Sequence, residues 1–338
     1  MASSSGFNDV QRRPTMSDVA AAAGVSLKTV SRVVNDEPGV RTETAAIVHD
    51  AIARLGFSRN DLARALRHGR RSGLFGLVIG DVSNPFYSAI ARGVEEVARR
   101  RGMLAIAASS DEDSAQERDL VRLFCERRVD GLLIVPAGDN HEYVLPELRS
   151  GTRVVFIDRP PGGIDADAVL LDNVGGARSA VEHLLAHGHR RIAFVGDEPW
   201  IFTATERLGG YCETLARAGI APDQSLIKVG AHDVGAAERA VSELLALPEP
   251  PTALLAGNNR ITVGALRVLS KTGSRLALIG FDDVELGEML AVPVSVVAYD
   301  PADLGRKAAE LIVRRLAGDT GPPRRMVLPT TLIVRGTG

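Results

Sequence analysis

Residues 15–66 read TMSDVAAAAGVSLKTVSRVVNDEPGVRTETAAIVHDAIARLGFSRNDLARAL, and this stretch decides how the chain is understood. It predicts three short helices and a basic hinge ahead of a much longer α/β body. Ser17 is expected to cap a helix through Asp18 to Ala23, and Gly24 to break it with the left-handed backbone that glycine tolerates at a helix end. Ser26 restarts a helix almost at once. A short Gly-containing turn between two short helices is the helix-turn-helix pattern, whose second helix enters the major groove. Val19, Ala20, Val25, Val30 and Val34 are expected to face inward, leaving Leu27, Lys28, Thr29, Ser31 and Arg32 outward. A third helix, about 44–55, repeats Ile47, Ala51 and Leu55 at four-residue spacing and completes a small core.

Three small helices around a Gly turn also make ordinary helical lobes, so charge has to be weighed beside the pattern. Residues 1–71 hold eleven Lys/Arg against seven Asp/Glu, a net of +4, whereas the remainder holds 29 against 35, a net of −6. A basic lobe on an otherwise acidic chain fits phosphate contact, because neutralising phosphates releases counterions.

The segment AAAGVSLKTVSRVVN, followed by a helix and then RNDLARAL, resembles the amino-terminal headpiece of the LacI/GalR family of bacterial transcription regulators. The resemblance runs from about residue 15 to 334. It implies that Leu27, Lys28 and Arg32 read base edges, while Thr15, Ser26, Thr29, Ser31, Asn35 and Thr44 hold the phosphate backbone. The chemistry agrees: Lys or Arg donates to guanine O6 and N7, Leu27 offers apolar contact to a thymine methyl, and hydroxyls orient a helix without reading sequence. By the same resemblance Asn60 to Leu66 is a hinge helix whose paired copies lie in the minor groove. There Leu66 wedges between base steps, and Ala63 is small enough to let two hinges approach. The alternative is a solvated linker helix with Leu66 packed on its own headpiece.

Three departures stand out. The family's Tyr-x-Pro-Asn is replaced by Phe57, Ser58, Arg59 and Asn60, so a fixed φ is lost at the hinge entry. Ala45 replaces a common Arg, and Asn259 replaces the usual Asp beside Asn258.

With 338 residues and 45% apolar content the chain should hold two large units besides the headpiece. The expected boundaries are a disordered tail over 1–13, the headpiece over 14–58, a hinge and linker over 59–72, and a core over 73–338. Within the core, lobe 1 is expected at about 73–170 and 301–329, and lobe 2 at about 171–300 and 330–338. No apolar run approaches the roughly 18 residues of a spanning helix, and MASSSGFNDVQRR lacks the apolar centre of a secretion signal, so a cytoplasmic location and no membrane partner are expected. Cys125 and Cys212 fall in no redox or metal motif and read as packed thiols.

From Leu74 onward LFGLVI, MLAIA, GLLIV and RVVFI read as buried strands, separated by helices near 87–101, 114–127 and 142–149. After about Leu170 come helix 176–187, strand IAFVG, helices 205–218 and 234–247, strand TALLA, helix 261–271, strand LALIGF and a last helix, 301–317. This alternation argues for parallel sheets covered on both faces. The resemblance implies a two-lobed type I periplasmic-binding-protein-like α/β core, crossed three times by the chain, beneath an all-α helix-turn-helix headpiece.

Ligands collect beyond the carboxyl ends of parallel strands. Asp81, Asp158, Asn258 and Asp282 fall there. Arg207, placed at a helix start, joins them, and Phe86, Trp200 and Phe202 are close enough in sequence to line a cleft. Acceptors for vicinal hydroxyls, an Arg donor and an aromatic face suit a sugar or nucleoside. The resemblance assigns effector binding to Asp81, Phe86, Asp158, Arg207, Asn258 and Asp282. On the residues alone, each Asp could simply cap the next helix, and Arg207 could pair with Glu206.

His183 and His187 share a helix face, but no Glu supplies an H-E-x-x-H site, and Gly188 makes His187 a helix-end residue. No dinucleotide, P-loop or G-x-S-x-G motif appears, so neither a metal, a cofactor nor an enzymatic activity is expected. The sequence therefore points to a homodimeric transcriptional repressor that binds pseudo-palindromic operator DNA and responds to a small ligand between two lobes. The ligand shifts the lobes and thereby the hinges. A cytoplasmic solute-binding sensor without specific DNA readout is the alternative.

Overall fold

The computed structural model describes residues 12, 14–57 and 71–338. The chain divides into two compact units, Met1–Ser72 and Gly73–Gly338.

The first unit is a three-helix cluster. Helix α1 (Met16–Ala23) is capped by Thr15, two residues before the expected Ser17. Thr15 and Asp18 form a reciprocal capping box: Asp18 N donates to the Thr15 hydroxyl, while Thr15 N donates to the Asp18 carboxylate at 2.7 Å. Asp18 supplies the return bond that Ser17 had no partner to make. Gly24 closes α1 at φ 65°, and Ser26 caps α2 (Leu27–Val34), accepting from Thr29 N at 3.1 Å. Helix α3 (Thr42–Leu55) ends at Gly56, φ 64°.

Val19, Ala20, Val30, Val33, Val48 and Ala51 form the small core, with Val25, Val34 and Leu55 packed against it. Ile47, expected inside, is 53% exposed. Ala51 and Leu55 of the expected stripe do face α1 and α2, and at its amino-terminal end Val48 takes the inward place instead of Ile47.

The second unit consists of two six-stranded sheets. The first has the order β2 (Leu104–Ser109), β1 (Leu74–Ile79), β3 (Gly131–Ile134), β4 (Arg153–Asp158), β5 (Asp167–Leu171) and β11 (Arg325–Leu328), all parallel. The second has the order β7 (Ile227–Lys228), β6 (Ile192–Val195), β8 (Ala253–Ala256), β9 (Ala277–Phe281), β10 (Ser295–Ala298) and β12 (Thr331–Ile333), parallel except for β12. The chain passes between the sheets after β5, after β10 and after β11. Helices α4 (Pro85–Arg100), α5 (Ser114–Glu126), α6 (Leu145–Ser150) and α11 (Pro301–Leu316) belong to the first lobe. Helices α7 (Asn173–Ala186), α8 (Phe202–Arg217), α9 (Val234–Leu245) and α10 (Asn259–Thr272) belong to the second.

A helical headpiece with a parallel-dominated two-sheet core is the expected fold class, but several local expectations fail for identifiable reasons. The MLAIA segment is an edge strand, not a buried one, leaving Leu104 58% and Ile106 39% exposed. Strands β5, β7, β10, β11 and β12 went unread; β7 and β12 are only two and three residues long, and β11 is a half-exposed edge strand. The expected helix at 142–149 splits into a 3-10 turn, Glu142–Val144, and α6. Helices α1, α3, α4, α7, α8 and α10 begin two or three residues early. Asp172 caps α7, accepting from Gly175 N at 2.8 Å, and Asn258 caps α10, accepting from Ile261 N at 2.9 Å. Helix α8 starts at Phe202 with no side-chain cap to signal it.

Close packing sets the first lobe. A Cβ on Gly93 would lie 2.0 Å from the Ala302 carbonyl oxygen, and one on Gly305 would lie 2.1 Å from that of Ile90, so α4 and α11 meet backbone to backbone. Arg315 clamps α11 to β5 through two 2.7 Å bonds to the buried Asp167 carboxylate.

Candidate functional site

In the headpiece, α2 presents Leu27 at 52% exposure, with Lys28 exposed and Ser31, Arg32 and Asn35 half-buried along the same helix. The hydroxyls assigned to phosphate contact already have local duties. Thr15 caps α1, and the Ser26 and Thr29 hydroxyls share a 2.9 Å bond at the start of α2. Asn35 donates to Ser31 at 3.3 Å. These bonds order the side chains on an exposed helix end; a phosphate oxygen only accepts, so it would take the O–H and N–H protons that these local bonds leave free. Thr44 is half-buried in the first turn of α3, one residue before Ala45. Asn60, Ala63, Leu66 and the Ser58–Arg59 departure lie outside the described residues, as does the amino-terminal tail apart from Arg12.

In the core, the carboxyl ends of both sheets face a cleft of about 790 Å³ when its open mouth is counted. Asp81, Phe86, Asp158, Arg207, Asn258 and Asp282 all line it. Trp200 and Phe202 do not: Trp200 is 54% exposed, and α8 begins at Phe202 rather than at Thr205. That earlier start moves Arg207 into the second turn of α8 and buries it.

Arg207 is fixed from three sides. Its Nε donates to Asn173 Oδ1 at 2.8 Å, one terminal nitrogen donates to the Gly257 carbonyl at 2.7 Å, and its guanidinium stacks 3.7 Å from the centroid of the buried Phe281 ring. The other terminal nitrogen has only Asp282 Oδ1, at 3.8 Å. No bond to Glu206 is made among these. The Arg207 fork is therefore rigid, with one N–H edge turned to the cleft.

Asp282 accepts from Tyr299 OH at 2.6 Å and from Asn259 N at 3.3 Å. Burial and the neighbouring Asp282 keep the Tyr299 phenol protonated, so it remains a donor. Tyr299 packs against the cores of both lobes and meets Phe86 edge to face, with centroids 6.2 Å apart. Asn258 lines the cleft, but its amide is already used, capping α10 and donating to Asp197 at 2.9 Å.

Asp158 stands apart. It is 3% exposed, and its Oδ1 has no hydrogen-bond partner. Burial pushes its carboxyl up to about 6, against the opposing pull of Arg159 and Arg207. Asp158 and Asp282 occupy matching places at the ends of β4 and β9, and both adopt left-handed backbone, φ 69° and 70°. Asp111 and Glu112, which also line the cleft, do the same at φ 51° and 58°. Non-glycine residues at positive φ are strained by roughly 1–3 kcal/mol each, and such strain gathers at functional sites.

Several lining residues escaped the sequence reading. Glu112 accepts a two-pronged bond from Arg159, at 2.6 and 2.9 Å, and a third from Tyr87 OH at 2.8 Å. Asp197 pairs with His232 at 2.9 Å, and that bond raises the His232 pKa above its ordinary value. Asp197 follows β6, and Asp111 and Glu112 follow β2, so the strand-end rule that found Asp81 covers them equally. Arg260 had no such signal.

Among the described residues no group of three or more His, Cys, Asp or Glu could hold a metal ion. His187 ends α7, its Nδ1 lying 2.9 Å from the His183 carbonyl. No helix among the described residues is long and apolar enough to cross a membrane.

This two-part construction matches known proteins. Residues 15–60 match the model described as bacterial regulatory proteins, lacI family, and residues 181–337 match the periplasmic binding protein-like domain. The chain is 34% identical to the HTH-type transcriptional regulator CelR of Thermobifida fusca, with 97% of this chain and 99% of that one covered. It is 32% identical to the HTH-type transcriptional regulator GalR of Escherichia coli, over 95% of this chain and 94% of that one. Among solved structures, a complex of transcriptional regulator CelR with cellobiose superposes with a TM-score of 0.71 at 33% identity, covering 96% of this chain and all of that one. The Lac repressor bound to ONPG in its repressed state gives a TM-score of 0.84 at 25% identity, covering 97% of this chain and 100% of that one. The chain belongs to the lacI family of bacterial regulatory proteins, and is a DNA-binding transcriptional regulator with a helix-turn-helix headpiece and a two-lobed ligand-binding-type core.

Proposed function

We propose that this regulator is a homodimeric repressor, acting in the cytoplasm without catalysis, whose affinity for a pseudo-palindromic operator is set by an uncharged sugar held between the two lobes. The observation that carries the sugar reading is the make-up of the cleft. Arg207 is a fixed donor, Phe86 offers an aromatic face, and Asp158 brings a buried acceptor with no hydrogen-bond partner. Hydroxyl groups satisfy such a set, because each can donate to a carboxylate and accept from a guanidinium. A phosphate or carboxylate would bring a negative charge beside Asp81, Asp158, Asp197 and Asp282 with the arginines already paired. The relative solved with cellobiose supports the same class.

The effector residues proposed are Asp81, Phe86, Asp158, Arg207, Asn258 and Asp282. Dimerisation is supported by the apolar edge strand β2, with Leu104 and Ile106 exposed, and by Leu286, Met289 and Val292, exposed on the loop before β10. A helix-turn-helix unit alone makes few base contacts, and two-fold symmetry doubles them.

The test is a gel-shift titration on promoter fragments at 50 and 200 mM salt, with a melting-temperature screen of neutral mono- and disaccharides that includes cellobiose. Steep salt dependence of binding and a melting shift by at least one sugar are expected; failure of every sugar to shift melting would remove the proposed effector class. In the same assay Lys28→Ala is expected to weaken operator binding about tenfold and to relax preference at one base pair, since a good base contact is worth roughly 1–3 kcal/mol. Equal losses on operator and random DNA would reassign Lys28 to the phosphates.

A further inference from the structure

Two side-chain contacts cross the mouth of the cleft. The Arg260 guanidinium, in the first turn of α10 in the second lobe, bonds the carboxylate of Asp81, which follows β1 in the first. Beside it, Asn259 Nδ2 donates to Asn84 Oδ1 at 2.8 Å. Both ends are held by their own loops. Asp81 is fixed by bonds from Ser83 N and Oγ at 2.8 and 2.7 Å, and Asn84 caps α4, accepting from Phe86 N at 3.1 Å. Asn259 Oδ1 accepts from Arg260 N at 2.8 Å, which orients its amide so that the N–H side faces Asn84.

We propose that Arg260 and Asn259 form a latch that holds the lobes together without effector, and that Arg260 is a built-in competitor for Asp81, so that these two residues set effector affinity. The inference rests on the cleft being the effector site, as proposed above. The chemistry is specific to the residues present. Asp81 is one of the acceptors a polyhydroxyl ligand would use, and in the closed cleft its outward oxygen is taken by a guanidinium. An effector must therefore displace Arg260 or fit beneath it. Asn259 contributes because it is an amide: a carboxylate at this position would set acceptor against acceptor at Asn84 Oδ1. Both members of the ion pair are partly exposed, Arg260 at 26% and Asp81 at 31%, so the pair is weak and salt-sensitive. A weak latch suits a switch, because a contact worth a few-fold in population can be overcome by an effector's differential affinity, whereas a strong one cannot.

Hydrogen exchange on the full-length protein without ligand reads the latch directly, in peptides spanning 81–88 and 258–262. Arg260→Gln and Asn259→Asp are each expected to speed exchange there about fivefold and to leave peptides from β4 and α7 unchanged. Raising NaCl from 50 to 500 mM should speed exchange in the wild-type protein and not in Arg260→Gln. Wild-type rates in both variants, or a salt effect equal in Arg260→Gln and wild type, would overturn the latch. The panel sugar that shifts wild-type melting most is then titrated into Arg260→Gln, where about fivefold tighter binding is expected; unchanged or weaker binding would overturn the competition. The exchange readout needs no sugar, so a failed latch and a failed effector class give different results.

Discussion

Arg207→Ala is expected to reduce affinity for the cleft sugar at least a hundredfold and to abolish its effect on operator binding, while operator affinity in the absence of sugar stays within about threefold of wild type. The size of the effect follows from what the guanidinium does. It is 5% exposed, stacked on Phe281 and bonded to Asn173 and Gly257, so it reaches the cleft already oriented. A preorganised, charge-assisted donor loses little entropy when it binds a hydroxyl, and removing one partner of such a bond leaves buried acceptors unpaired. Arg207→Lys should fall between the two, because an ammonium keeps the charge but can neither stack as a plane nor fork between Asn173 and Gly257. Asp282→Asn should match Arg207→Ala in direction, since Asp282 faces the same edge of the guanidinium. Isothermal titration with the sugar, paired with gel shifts, separates the two functions. If Arg207→Ala responded to sugar like the wild type, Arg207 would be a packing residue of α8 and the effector site would have to lie elsewhere.

Residue by residue, the sequence carried the chemistry further than the geometry. Asp81, Asp158 and Asp282 could be found because a polar residue directly after an apolar run sits at the carboxyl end of a buried parallel strand, and the cleft is made of such ends. The headpiece was legible for a similar reason. Gly24 and Ser26 end and restart helices through backbone rules that act within a few residues. What stayed hidden depends on contacts between segments far apart in the chain. Nothing local distinguishes Ile47 from Val48, because which of the two faces inward is fixed by the approach of α1 and α2. Trp200 looked like a cleft residue by proximity in sequence, but the early start of α8 leaves it outward. Arg260 reads as an ordinary charge on a helix, and only the folded second unit brings it to Asp81, 179 positions away. Asn259 was noticed as a departure from the family pattern, yet its partner, Asn84, lies in the opposite lobe.

Asp158→Asn is expected to make the protein more stable at neutral pH and worse at binding sugar, the two effects arising from one oxygen. In the folded protein the Asp158 carboxyl titrates at about 6, whereas an unfolded aspartate titrates near 3.9. Between these values the native state holds a proton that the unfolded chain has released, so the stability that Asp158 permits at acid pH is lost as pH rises through about 4 to 6, and the deficit is constant above. The difference corresponds to about 3 kcal/mol. Asparagine has the same shape and no charge to desolvate. Its amide can face Arg159 with the carbonyl oxygen, which preserves the contact now made by Oδ2. The variant should therefore melt several degrees higher than wild type at pH 7.5, with the difference shrinking toward zero at pH 4.5, a comparison made by calorimetry at the two pH values. Sugar affinity should fall at the same time, because one of two acceptor oxygens becomes a donor. If Asp158→Asn instead melted lower at pH 7.5, a donor would already satisfy the carboxylate in the free protein, and Asp158 would belong to the frame of β4 rather than to the ligand.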